Sequence, residues 1–218
     1  MEITWYGHSC FKLHVKGLTI VTDPYDSSVI GYNLPRIRAN VVTVSHDHPG
    51  HNYVRGIKGK PKVIDGPGEY EIGGAFIFGI PTFHDRKEGK KRGRNTVYLF
   101  DFHGLTVCHL GDLGHVLTQP QVDALGEVDI LLVPVGGVST IDAAQAAEVV
   151  NLLEPKLVIP MHYKTKGLKR RDSTTPLHTV RRFLKEMGLD ELSPREVLKV
   201  SKGSLPEETE VVLLEYRQ

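Results

Sequence analysis

The sequence predicts a layered α/β domain in which β-sheets stack on each other and the helices come late. Three observations point there. Short apolar runs rich in β-branched residues recur along most of the chain, punctuated by Gly, Pro and Asp. The two clear helical patterns both lie beyond position 140. No repeat and no linker-like change of composition divides the 218 residues, so one domain spanning 1–218 is expected.

The runs that read as strands are Thr4–Tyr6, Phe11–Val15, Leu18–Val21, Asn40–Val44, Lys62–Ile64 and Ala75–Ile80. Thr96–Phe100, Leu105–Leu110, Ile130–Val133, Leu157–Ile159 and Val211–Glu215 follow. Asp142 has the chemistry of an N-cap, and Ala143 to Leu153 is an Ala-rich helix that stops at Glu154–Pro155. A second helix is predicted from a Thr175 cap and Pro176. It places Leu177, Val180, Phe183, Leu184 and Met187 at helical spacing and ends at Gly188.

Composition excludes several classes of protein. Gly (22) and Pro (13) together fall well short of a low-complexity chain, and no apolar run nears the ~18 residues a membrane span needs. The start, MEITWYGHSCF, lacks the basic-then-apolar layout of a secretory signal. Cys10 and Cys108 are the only cysteines, too few for a disulfide framework, so a cytoplasmic setting is expected. No Gly-x-Ser-x-Gly elbow, Walker A loop or Gly-x-Gly-x-x-Gly turn is present.

The eleven histidines carry the chemistry. After the strand at Asn40–Val44 comes Ser45-His46-Asp47-His48-Pro49-Gly50-His51, and imidazole is the commonest metal ligand. On an extended strand end His46 and His48 share a side, and Pro49-Gly50 turns His51 back towards them. Other strand ends each deliver a His or Asp: Asp23, His84, Asp112 with His115, and His162. Sites at one rim of a sheet are assembled in this way.

The order Asp23-Pro, His46-x-His48-x-x-His51, His84, Gly111-Asp112 and Pro-Met-His162 resembles the motifs of the metallo-β-lactamase superfamily. Gly7-His8-Ser9-Cys10-Phe11, Pro134-Val-Gly-Gly137 and Pro160-Met-His-Tyr163 resemble the branch containing L-ascorbate-6-phosphate lactonase. The resemblance implies a four-layer αβ/βα sandwich with a dinuclear metal site at one edge. It implies that His46, His48 and His84 hold a first ion, and that His51, Asp112 and His162 hold a second, with Asp112 shared. Asp23 and His8 would support the ligands from behind, and His115 would lie near enough to give a proton to a leaving group. The family pattern has Asp where this chain has Gly50, so a weaker second site is expected. Zn2+ is the expected metal, one or two ions, with Mn2+ or Fe compatible with the same ligands.

Charge suggests the substrate. The net charge of +1 conceals two basic segments, Arg86–Arg94 with six basic residues in nine and Lys164–Arg171 with five in eight. Both begin just after an expected ligand histidine, so they should flank one mouth and draw in an anion. Lys91, Arg92, Arg94, Lys169 and Arg170 are the expected substrate-binding residues. The function expected is therefore a metal-dependent hydrolase that turns a metal-bound hydroxide on a small phosphorylated, lactone or phosphodiester substrate. A ribonuclease is the alternative enzyme, disfavoured by an aromatic content of 7%, which leaves few platforms for stacking bases. A non-enzymatic member with a degenerate second site is the alternative that Gly50 motivates. No membrane partner is expected.

Overall fold

The computed structural model describes residues 1–171 and 174–217. Its strands are β1 (Glu2–Trp5), β2 (Phe11–Val15), β3 (Leu18–Thr22), β4 (Val41–Thr43), β5 (Lys62–Ile64), β6 (Gly68–Ile72) and β7 (Ala75–Phe83). After them come β8 (Arg94–Phe102), β9 (Leu105–His109), β10 (Ile130–Pro134), β11 (Leu157–Met161), β12 (Leu198–Lys199) and β13 (Glu210–Val211). The helices are α1 (Ser27–Ile30), α2 (Gln119–Leu125), α3 (Ala143–Leu153) and α4 (Val180–Glu186).

The strands form two mixed sheets, ordered β12-β1-β2-β3-β4-β5 and β13-β11-β10-β9-β8-β7-β6. Side-chain alternation sorts the first sheet into two faces. Ile20 and Val41 enter the main core, whereas their neighbours Val21 and Val42 join a second cluster with Tyr25, Ile30 and Tyr32. That outer cluster is covered by α1 and irregular chain. The helical layer belongs to the other sheet, where β10 is buried at all five positions, as a parallel strand covered on both faces must be. The architecture is the expected αβ/βα sandwich, thin in helix on one side.

Local chemistry explains the boundaries. α3 starts where Asp142 accepts from the Gln145 backbone N–H at 3.0 Å, and it buries Ala143, Ala146, Val149, Val150 and Leu153. The helix predicted from Thr175 begins instead at Val180, after Thr179. The preceding stretch is held elsewhere: His178 N–H donates to Gly136 O, and Lys164 N–H donates to His178 O, each at 2.8 Å. Strand β6 (GEYEI) escapes sequence reasoning because no position in it is buried, so it carries no apolar alternation. Helix α2 also went unpredicted, although Thr118-x-x-Gln121 around Pro120 is a capping signature.

Topology places the site. β1, β3, β4 and β5 run in one direction in the first sheet, and β7, β9, β10 and β11 run together in the second. Their carboxyl ends therefore share an edge within each sheet, the position where open α/β sheets bind ligands. His8 follows β1, Asp23 follows β3, the His46–His51 loop follows β4, His84 follows β7, Asp112 follows β9, and His162 follows β11.

Candidate metal centre

The His46–His51 segment is a run of tight turns rather than an extended strand end. His48 N–H donates to His46 O (3.0 Å), and His51 N–H donates to His48 O (2.8 Å). The expected i, i+2 projection is therefore replaced by bending, which leaves the His46 and His48 rings stacked at 5.9 Å with an interplanar angle of 17°. Ser45 anchors the run, because its N–H and Oγ–H both donate to Asp23, at 2.8 and 2.6 Å. Gly50 N–H donates to His48 Nδ1 at 3.1 Å, so that ring has its Nδ1 lone pair committed to the backbone. Asp47 turns aside and accepts from the Asn52 side chain.

The second sheet supplies the other side. Asn95 on β8 fixes the turn carrying Asp112: its Oδ1 accepts from Asp112 N–H (2.9 Å), and its Nδ2 donates to Leu110 O (3.0 Å). His162 N–H donates to His8 O at 3.0 Å, joining the ends of β11 and β1. Three imidazole nitrogens then surround one carboxylate oxygen. Asp112 Oδ2 lies 3.4 Å from His51 Nε2, 3.5 Å from His84 Nε2 and 3.3 Å from His162 Nε2.

Potential ligand atoms gather into three overlapping groups, each within 4.8 Å: His46, His48 and His51; His46, His84 and Asp112; and His8, His51 and His162. His46 and His51 each belong to two of them, so the three groups form one continuous cluster. Asp112 Oδ1, His84 Nδ1 and His162 Nδ1 are buried without a hydrogen-bond partner. Buried polar atoms are nearly always satisfied, so the unpartnered Asp112 Oδ1, beside a carboxylate oxygen ringed by three imidazole nitrogens, fits a donor set built to hold a cation. The donor set, imidazole with carboxylate and no thiol, suits zinc, iron or manganese.

The electrostatics agree. Burial opposes charge on His51, but Asp112 and Asp23 on either side override it and push its pKa up to about 10. His46 is pushed down to about 3, first by burial and then by the neighbouring His51. Burial would raise Asp112, yet His162 and His51 hold it well below the usual carboxylate range. A proton on His51 is thus the positive charge that two buried carboxylates demand, and a metal ion can replace it.

Strain concentrates at the same edge. His8 (φ 53°), Asp23 (φ 39°), His162 (φ 52°) and Val138 (φ 64°) all occupy the left-handed region that side chains avoid. They line or support a cavity of about 330 Å³, walled by the cluster together with Arg92, Val138, Ser139 and Arg170. An adjoining cavity of about 410 Å³ shares His84, Arg92, Val138 and Ser139 and adds Lys87 and Lys91.

Sequence reasoning therefore brought most of the site together: His8, His46, His48, His51, His84, Asp112 and His162 all line the first cavity. From the basic segments, Arg92 and Arg170 reach it and Lys91 reaches its neighbour. Arg94, at the start of β8, and Lys169 are exposed and line neither. His115 is a correction. Its Nδ1 donates to Val116 O (2.8 Å) and its Nε2 accepts from Phe83 N–H (3.3 Å), so backbone groups engage both nitrogens outside the cavity. Ser45, Asn95, His109 and Ser139 were missed. Ser45, Asn95 and His109 act through contacts distant in sequence that leave no local pattern, as when His109 Nε2–H donates to Ser9 O, 100 positions away, at 2.9 Å, and Ser139 is placed only by the cavity it lines.

Asp85 was missed as well. Its carboxylate accepts from the backbone N–H groups of Lys87, Gly89, Lys91 and Arg92 at 2.7–3.1 Å. It thereby folds the basic segment into a compact turn beside His84. Burial alone would raise its pKa, but those four donors hold it at about 2.

Comparison with known proteins places these features in context. The family described as "Beta-lactamase superfamily domain" matches residues 2–162. A UPF0173 protein of Pyrococcus abyssi is 31% identical over 191 residues, covering 77% of this chain and 85% of the relative. A UPF0173 metal-dependent hydrolase of Pyrobaculum neutrophilum is 28% identical over 202 residues, covering 79% and 88%. A Thermotoga maritima protein, described as a Zn-dependent hydrolase of the metallo-beta-lactamase superfamily, superposes with TM-score 0.78 at 44% identity, covering 98% and 97% of the two chains.

Proposed function

This chain belongs to the beta-lactamase superfamily domain family as a metal-dependent hydrolase, and from that premise we propose that its substrate is a small anion, a phosphorylated lactone or phosphodiester. One observation carries this reading. Arg92 and Arg170, from the two separate basic segments, line the same cavity as the histidine and aspartate cluster. Guanidinium groups present a rigid fork of donors that matches phosphate and carboxylate oxygens.

In this reading His46, His48 and His84 hold a first ion. His51, Asp112 and His162 face a second, and zinc is the metal. A metal ion there supplies Lewis acidity and lowers the pKa of a bound water to about 7. The chain's own groups do the rest. Asp112 stays ionised, so it accepts hydrogen bonds and donates no proton. Asp23 accepts a hydrogen bond from His51 Nδ1–H, which keeps the proton on that nitrogen and leaves Nε2 to face the cluster as a lone pair once a cation is present. Ser139, whose buried Oγ has no partner among the described residues, offers its hydroxyl to a substrate oxygen. Arg92 and Arg170 hold the anion at the mouth.

The adjoining cavity supports a second reading, because Lys87 and Lys91 extend the positive surface beyond one phosphate and would suit a phosphodiester within RNA. Zinc-loaded protein assayed on phosphorylated lactones, small phosphodiesters and RNA separates the two. Reversing Arg92→Glu with Arg170→Glu should raise KM for the true substrate by about tenfold or more without changing metal content, and kcat/KM should fall with salt. Activity indifferent to salt and to both reversals would overturn the anionic-substrate reading.

A further inference from the structure

We propose that His8 is itself a ligand of the second metal ion, which is then held by three histidines, His8, His51 and His162, beside Asp112. This rests on the metal-centre reading above and changes the expectation that Gly50 leaves that ion weakly held.

Four observations converge. Ligand atoms of His8, His51 and His162 lie within 4.8 Å of one another, and all three residues are at most 2% exposed. The His8 ring stands 4.1 Å from the His162 ring and 4.8 Å from the His51 ring, centroid to centroid. His8 Nδ1 is buried without a hydrogen-bond partner, an arrangement that a neutral imidazole with one donor and one acceptor rarely tolerates. A Cβ built at Gly50 would meet His8 Nε2 at 3.3 Å and His48 Nδ1 at 3.1 Å. The missing side chain at position 50 is therefore the space beside which the His8 ring sits.

The backbone holds His8 in place for this task. Its φ of 53° is unfavourable, yet its carbonyl accepts from Trp5 Nε1–H (3.1 Å) and from His162 N–H (3.0 Å). The next residue, Ser9, is held through its carbonyl by His109. Two anchors on the strained residue and one on its neighbour keep its ring against His51 and His162. A neutral imidazole contributes no negative charge, so Asp112 is the one carboxylate among the proposed ligands. The centre is then more cationic than one with a second carboxylate and better matched to an anionic substrate, while a nitrogen-rich second site favours zinc over manganese.

The test uses the full chain, stripped of metal and reloaded with zinc, with metal counted by mass spectrometry. Wild type should retain two ions per chain, and His8→Ala should retain one with unchanged circular dichroism. His8→Ala combined with Gly50→Asp should recover the second, because a carboxylate then enters the vacated space. In case His8→Ala fails to fold, wild type loaded with cadmium-113 gives a second readout: the His8 ring nitrogen should show direct coupling to the metal in nitrogen-15 spectra. Two ions retained by a folded His8→Ala, loss of both ions from it, or no coupling at His8 in doubly loaded wild type would overturn the proposal. Wild type that binds no metal at all would instead overturn the metal-centre reading beneath it.

Discussion

Asp23 Oδ2 accepts from His51 Nδ1 at 2.8 Å across 28 positions of sequence, while the same carboxylate accepts from Ser45 N–H and Oγ–H. Asp23 is fully buried, and burial alone would raise its pKa, but the hydrogen bond from His51 leads the interactions that hold it below the usual range. One charged group thus fixes the tautomer of one proposed ligand and the start of the loop that bears the others.

Asp23→Asn should weaken zinc binding by about 10–100-fold, the cost of losing an orienting carboxylate behind a histidine ligand. Competition with a chromophoric chelator measures it. Unchanged affinity would mean that Asp23 only shapes a turn.

His48→Ala should cost the first ion, and with it activity, while the fold persists, since His48 is partly exposed and lies in a loop. Metal content and far-ultraviolet circular dichroism together decide this. A full complement of metal in the variant would remove His48 from the ligand set.

Gly114→Ala should be far more damaging than its size suggests. A Cβ there would run into the carbonyl carbon of His84 and the amide nitrogen of Asp85, and backbone cannot step aside as a flexible side chain can. Overpacking of this kind costs about 2 kcal/mol, or about 4–8 °C in Tm for a chain this long. Thermal unfolding with and without zinc should show both a lower Tm and a smaller stabilisation by metal, because His84 is displaced.

Asp85 gives the basic segment a pH dependence. Its folded pKa of about 2 lies below the roughly 3.9 of an unfolded aspartate, so its contribution is present above pH ~4 and lost as pH falls towards 2. Amide exchange protection at Lys91 and Arg92, corrected for intrinsic rates, should fall over that window. In Asp85→Ala it should be low at every pH, and KM for an anionic substrate should rise as Arg92 loses its place. Protection that survives both acid and the substitution would assign the turn to other contacts.

Much of the molecule was legible before its structure. The β-branched runs marked most strands because alternation reports burial directly, and Asp142 announced α3 because a cap is a local interaction. Edge strand β6 stayed hidden since nothing in it is buried, and the Thr175 start failed because tertiary hydrogen bonds at His178 outbid a good local capping pattern.

The sequence by itself determined which residue types stand at each strand end: Asp23, the histidines from His46 to His51, His84, Asp112 and His162. Strand-like runs and the residues that follow them are local patterns, whereas the pairing that makes those strands run together puts the residues on one rim. Which atoms face one another was decided only in the tertiary structure, by strand order within each sheet and by the stacking of the two. That arrangement set three imidazoles around Asp112 Oδ2, two from strand ends of its own sheet and His51 from the other, turned His115 onto backbone groups, and brought Arg92 and Arg170, of eleven basic residues, to the cavity. It also put His8 beside His51 and His162, next to the gap at Gly50. Contacts between residues far apart in sequence depend on how whole layers pack, and no window of sequence carries that information.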